Sequence, residues 1–148
     1  MKVPPLAVFS ITCLLMWGTA RLFYETRYQI PLLETVALLL SVIGGIFGIG
    51  AILSFIKART TISPSSPEKT TVFVSKGLYN ISRNPMYLGL LLVILSFGCH
   101  LANPIAALII PLFPWYMTRY QILPEEEFML QKFGDEYRQY QVRVRRWL

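Results

Sequence analysis

The chain is poor in the residues that build metal centres and disulfide frameworks. Its 148 residues include two cysteines and one histidine. Cys13 and Cys99 both fall in apolar stretches, and there is no CxxC pair. Neither a cross-linked scaffold nor a metal site is therefore indicated. Charge is also scarce: Asp, Glu, Lys and Arg make up 15% of the chain, against 54% for hydrophobic residues. The apolar segments carry no ionisable side chain at mid-membrane, which argues against a transporter or an ion channel.

The apolar residues collect in four segments, about Pro4–Phe23, Ile30–Ile56, Pro85–Leu101 and Pro104–Leu123. Each approaches the roughly 20 residues that cross a bilayer. The fold class expected is an all-α membrane protein with about four transmembrane helices, a C-terminal helix hairpin and a cytoplasmic amphipathic helix. Residues 1–148 read as one domain. Its parts are two packing helices (1–57), a cytoplasmic loop (58–84), the hairpin (85–123) and a covering helix with a tail (124–148). The first segment resembles a signal peptide in having Lys2 and a small-residue stretch at Gly18-Thr19-Ala20. Its apolar run is longer than a signal core, so a retained helix is favoured.

The net charge of +6 is unevenly placed. Lys57, Arg59, Lys69, Lys76 and Arg83 lie between the second and third segments, and Arg119, Lys132, Arg138, Arg143, Arg145 and Arg146 end or follow the fourth. The turn between the third and fourth has no Lys or Arg. The positive-inside rule then places both termini on the cytoplasmic side of a multi-pass protein. The basic tail suits an anionic leaflet better than nucleic acid. Trp147 and the tail arginines read as an interfacial anchor.

Within the second segment Gly44 and Gly48 form a GxxxG, which lets helix backbones approach closely in lipid. Packing inside the bundle is favoured over a homodimer face. Pro111 and Pro114 predict a kink in the fourth segment. His100 reads as an interfacial residue at the outer end of the third.

Two polar stretches carry the chemistry. In Ser82-Arg83-Asn84-Pro85-Met86-Tyr87-Leu88-Gly89 a loop becomes a helix, with Pro85 at the first helical position and Asn84 as the N-cap. Such an end, beside Arg83, seats a carboxylate or phosphate. The second stretch is an amphipathic helix of about Glu125–Gln141, with Leu130, Phe133, Tyr137 and Tyr140 on one stripe. At about 100° per residue Glu126 projects from that stripe, Glu127 lies well off it and Glu125 is opposite. An inward acid needs a partner, either a protein arginine or a bound ligand. Glu125 and Glu127 read as solvated charges at a helix start.

Together with Thr71-Val72-Phe73-Val74 and Lys76-Gly77-Leu78-Tyr79 before it, and Phe133-Gly134, Tyr137, Tyr140 and Val144-Arg145 after it, this pattern resembles the integral-membrane methyltransferases. That group includes isoprenylcysteine carboxyl methyltransferases and phospholipid methyltransferases. The resemblance covers Thr71 to Leu148. It implies S-adenosylmethionine as cofactor, with contacts from Thr71, Val72, Phe73, Val74, Tyr79, Arg83, Asn84, Pro85, Met86, Tyr87 and Glu126. It also implies methyl transfer to a lipidic or small hydrophobic acceptor. Asn84 stands where the family often has His. Ile122 stands where the prenylcysteine enzymes have an Arg, and Arg119, a turn earlier, is the nearest cation for a substrate. The alternatives are a nicotinamide-dependent membrane reductase with a similar Arg-x-Pro-x-Tyr-x-Gly element, and a non-catalytic membrane scaffold.

Overall fold

Prolines open the helices of this chain. A computed structural model describes residues 3–57 and 74–148. In it α1 (Pro5–Leu22), α2 (Pro31–Lys57), α3 (Pro85–Leu101) and α4 (Pro104–Ala107) each begin on one. A helix start is where the missing N–H costs no hydrogen bond. α5 (Leu112–Met117) follows, then a π-helical turn, Thr118–Ile122, that leads without a loop into α6 (Leu123–Arg143). The described residues are helical or irregular, with no strand among them. Thr71, Val72 and Phe73, part of the extended-looking run in the loop, lie outside the described residues.

α3 is the centre of the bundle, with α2 on one side and α1, α4 and α5 on the other. Val8 and Met16 of α1 meet Tyr87 and Ile94 of α3, Ala106, Phe113, Met117 and Ile122 in one buried cluster. On the other side two backbones come together. A Cβ added to Gly44 would lie 2.9 Å from the Gly89 carbonyl oxygen, and one added to Gly89 would lie 2.8 Å from both the Gly44 oxygen and the Gly48 nitrogen. The GxxxG of α2 thus packs inside the bundle, on Gly89 of α3. Further along the same seam Ser96 Oγ donates to the Ala37 carbonyl at 2.6 Å.

α1 and α2 have 18 and 27 residues, about 27 and 40 Å of helix at 1.5 Å per residue. Both are long and apolar enough to cross a bilayer. Leu6, Leu14 and Leu22 on α1, and Leu32, Leu38 and Ile49 on α2, are exposed. An apolar surface this extensive suits lipid rather than water, and with the helix lengths it marks a membrane protein. α3 is equally apolar but shorter, at 17 residues.

The fourth apolar segment differs from expectation. Instead of one kinked helix it is α4, a turn, α5 and the π-helical turn. The break falls at Pro111, the residue that caps α5, whereas Pro114 sits in the first turn of α5, where its missing N–H is harmless. The amphipathic helix is also longer than Glu125–Gln141, and it bends at Gly134, whose φ of +53° is left-handed. That conformation is open to glycine at little cost.

The two ends of the bundle are fixed differently. At one end Asn103, which is buried, caps α4 by accepting from Ile105 N and Ala106 N at 3.1 and 3.0 Å. Its amide donates to Phe23 O and Thr26 Oγ1 at 2.8 and 2.9 Å. Here the exposed His100 has its Nδ1 3.2 Å from Glu34 Oε2. The opposite end holds the start of α3 and the whole of α6.

Gly89→Ala is expected to lower stability by about 1–3 kcal/mol, because backbone atoms of α2 would have to retreat. Gly45→Ala, where a Cβ meets nothing within 4 Å, is expected to leave stability unchanged or slightly raised. Thermal unfolding of both variants in one detergent tests this, and equal midpoints would remove the tight α2–α3 contact from the account.

Candidate functional site

At the start of α6 the helical phase turns Glu126 inward and leaves Glu127 exposed. The Glu126 carboxylate is held by two arginines from different parts of the chain. Arg146 grips it with two donors, Nε to Oε1 at 3.0 Å and Nη2 to Oε2 at 2.8 Å. Arg83 Nη2 lies 3.1 Å from Oε1. Of the two partners left open by the sequence, the protein arginine is the one found. Bidentate guanidinium–carboxylate contact is the geometry that best repays the burial of the Glu126 charge.

Arg146 reaches this position because the chain leaves α6 in extended conformation at Val144 and runs beside the loop before α3. Arg83 N donates to Arg145 O at 3.0 Å, and Ser82 Oγ and Asn84 Nδ2 donate to Arg146 O at 3.2 and 3.0 Å. Trp147 Nε1 then donates to Thr118 Oγ1 at 3.1 Å. The tail is therefore a strap across the site, and Arg146, expected at lipid headgroups, is bound to protein instead, while Arg143 and Arg145 are exposed.

Two further expectations are corrected. Asn84 is the N-cap of α3, but its side chain caps nothing; it has turned to the strap. Glu125 is not a solvated charge, since Tyr87 donates its hydroxyl to Glu125 Oε1 at 2.9 Å. The helical phase places Glu125 away from the apolar stripe, but Tyr87 of α3 reaches it there, a contact that periodicity within α6 does not reveal.

Two guanidinium groups face the Glu126 carboxylate beside the start of α3, and the second carboxylate of the junction, Glu125, lies on the Tyr87 side. Arg83 Nε is buried with no hydrogen-bond partner among the described residues. An orphan donor next to a positive helix end fits a ligand carboxylate.

Around this centre lie Tyr79, Tyr137 and Tyr140, which share a buried cluster with Val74 and Met86. Tyr140 OH donates to the Tyr79 carbonyl at 2.6 Å. Burial pushes the hydroxyls of all three well above the usual tyrosine range. For Tyr79 the charges of Tyr140 and Glu125 add to this, and for Tyr137 those of Glu126 and Glu125 do. Pro85 and Tyr87 are buried at the same junction and Met86 is half-buried. Arg119 is elsewhere. It is exposed and lines an open groove of about 400 Å³ with Pro114, Trp115, Thr118 and Leu123.

Sequence reasoning brought Arg83, Asn84, Pro85, Met86, Tyr87, Tyr79, Val74 and Glu126 to one place, and missed Arg146, Glu125 and Ser82. An inward glutamate with a tail rich in arginine was the available signal for Arg146. Helical periodicity cannot choose among residues of an extended tail.

A family model described as phospholipid methyltransferase matches residues 32–136. An uncharacterized protein of Haemophilus influenzae is 46% identical over 63 residues, which is all of that protein and 43% of this chain. Protein-S-isoprenylcysteine O-methyltransferase B of Arabidopsis thaliana is 29% identical over 112 residues, 76% of this chain and 57% of its own length. The protein-S-isoprenylcysteine O-methyltransferase of Mus musculus is 26% identical over 139 residues, 92% of this chain and 49% of its own length. The chain thus spans about half the length of these named relatives.

Glu126→Gln leaves the buried Arg83 guanidinium and the half-exposed Arg146 without a counter-charge and is expected to cost about 1–3 kcal/mol. Chemical denaturation in detergent measures the loss, and an unaltered midpoint would mean that the arginine clamp contributes nothing. The tyrosines give a pH dependence. Their folded pKa values lie above the unfolded value near 10, so their contribution is intact below about pH 10 and is lost as the pH rises beyond it. Ultraviolet difference absorbance should show these tyrosines ionising only together with unfolding. Full, reversible titration of every tyrosine in folded protein would contradict that.

Proposed function

Because the chain belongs to the phospholipid methyltransferase family, we propose that it binds S-adenosylmethionine at the Arg83–Glu126–Arg146 junction and methylates a lipidic or small hydrophobic acceptor there. The observation that carries this reading is the buried Arg83 Nε, without a hydrogen-bond partner among the described residues, beside the start of α3, where the Asn84 side chain makes no cap. Arg83, with the backbone N–H groups of Met86 and Tyr87 at the start of α3, takes the methionine carboxylate, and Asn84 and Pro85 shape that helix start. Glu126 is a positioning residue that holds Arg83 and Arg146 in place. Val74 and Tyr79 contribute an apolar wall. Thr71, Val72 and Phe73, from the family resemblance, complete the binding set.

When bound, S-adenosylmethionine supplies a methyl group that is already electrophilic. The chain's own work is to align the acceptor with it and exclude water, which can remove several kcal/mol of barrier. A carboxylate or thiolate acceptor needs no base, whereas a protonated amine must first lose a proton. The groove at Trp115 and Leu123 gives a bilayer-borne acceptor a sideways approach, and Arg119 at its rim suits an anionic head.

Four crossings complete the reading, with α1, α2, α3 and the α4–α5 segment each spanning the bilayer and both termini cytoplasmic. Lys76, Arg83 and the basic residues of α6 and the tail then share the cytoplasmic side with the site, as the positive-inside rule requires. The end that carries Asn103 and His100 is then the outer one.

Calorimetric titration of the detergent-purified chain with S-adenosylhomocysteine is expected to give binding in the micromolar range, with no heat from NADPH. NADPH binding alone would replace this reading with the membrane reductase. Silence from both ligands, on protein with a cooperative melt, would replace it with the scaffold.

A further inference from the structure

The mechanism above uses the tail through Arg146 and leaves its next residue without a task. Trp147 is half-buried and packs against the core cluster that contains Met117 and Ile122. Its Nε1 donates to Thr118 Oγ1 at 3.1 Å. Thr118 is the first residue of the π-helical turn Thr118–Ile122. It also lines the groove, with Pro114, Trp115, Arg119 and Leu123. Arg146, meanwhile, grips Glu126 through both oxygens, four residues beyond the end of the same turn. Two adjacent residues of the tail thus hold the chain on either side of it.

The turn needs such a hold. π-Helical hydrogen bonding is rare and is found most often at functional sites. This turn also buries Gln121, only 2% exposed, whose Oε1 has no hydrogen-bond partner among the described residues. A buried polar atom left unpaired costs free energy, and a turn that carries this cost depends on contacts from outside it. The turn sets the direction of Arg119 and leads into Leu123, so it shapes the groove wall. We infer that Trp147 is a positioning residue which, through Thr118, holds the groove in register with the cofactor junction. This rests on the function proposed above and adds the element that joins its two halves. The contacts form one series: Arg83 to Glu126 at 3.1 Å, Glu126 to Arg146, then along the chain to Trp147 and across to Thr118. A ligand carboxylate that engages Arg83 alters how Glu126 is shared between its two arginines, and Trp147 carries the adjustment to the groove. Coupling of this kind is reciprocal, so a groove occupant changes cofactor affinity by the factor with which the cofactor changes its own.

Fluorine NMR of the full chain labelled with fluorotryptophan reads this coupling. Of the three tryptophans, Trp115 lines the groove, Trp147 lies in the strap, and Trp17 on α1 is the internal reference. Substitution of each by Phe assigns its resonance. Saturating S-adenosylhomocysteine is expected to shift the Trp115 resonance of wild-type protein beyond its linewidth and to leave that of Trp17 in place. Trp147→Phe keeps an aromatic ring but loses the N–H. Calorimetry should find its affinity for S-adenosylhomocysteine within about tenfold of wild type, and the Trp115 shift should be lost. A Trp115 resonance that stays put in saturated wild-type protein, or moves equally in Trp147→Phe, overturns the inference and leaves the cofactor reading standing. Failure of wild-type protein to bind overturns both. Should Trp147→Phe not fold by its thermal melt, or not bind, Thr118→Val removes the same hydrogen bond from the groove side and is read by the same signals. Loss of binding in that variant too overturns the inference.

Discussion

The functional end of this molecule depends on one buried carboxylate shared by two guanidinium groups. Glu126 alone inside the bundle would be too costly to keep ionised. With Arg83 and Arg146 it becomes the point at which three separate segments are joined: the loop before α3, the start of α6 and the extended tail. Such a pair adds little net stability over a well-packed apolar contact, but its directional bonds fix register. The backbone contacts from Ser82, Arg83 and Asn84 to the tail follow from that register.

The rest of the bundle supplies the rigid support that this end requires. α3 runs through the middle with its first residue in the site and its last beside Asn103. Its close approach to α2 at Gly89 leaves little freedom to slide, since both helices meet there through backbone atoms. Sites on such elements hold their geometry better than sites on loops. The apolar surfaces of α1 and α2 are given over to lipid, so nearly all the polar chemistry is confined to the two ends.

Much of this was legible in the sequence because it follows from local rules. Pro85 placed the start of α3, the GxxxG placed a tight helix contact, and the apolar stripe of α6 singled out Glu126 as the buried acid of its triplet. What was not legible depends on contacts distant in sequence or on departures from ideal helix. Asn84 was a sound capping residue by type, yet a carbonyl 62 residues away competes for its side chain. Glu125 was assigned to the solvated face because periodicity within α6 says nothing of Tyr87, which reaches it from α3, 38 residues away. Pro111 and Pro114 had equal claim to the kink, and only position within the first turn of α5 separates them.

The strap has a consequence for how the protein is made. A chain synthesised from its N-terminus delivers Arg83 first, Glu126 next and Arg146 last, with α3 to α6 laid down in between. Segments fold broadly in the order in which they emerge. The apolar helices therefore have to settle in the bilayer while the carboxylate at the mouth still has only one of its two cations. In this order of synthesis the polar latch at Glu126 closes only after α3 to α6 have been made.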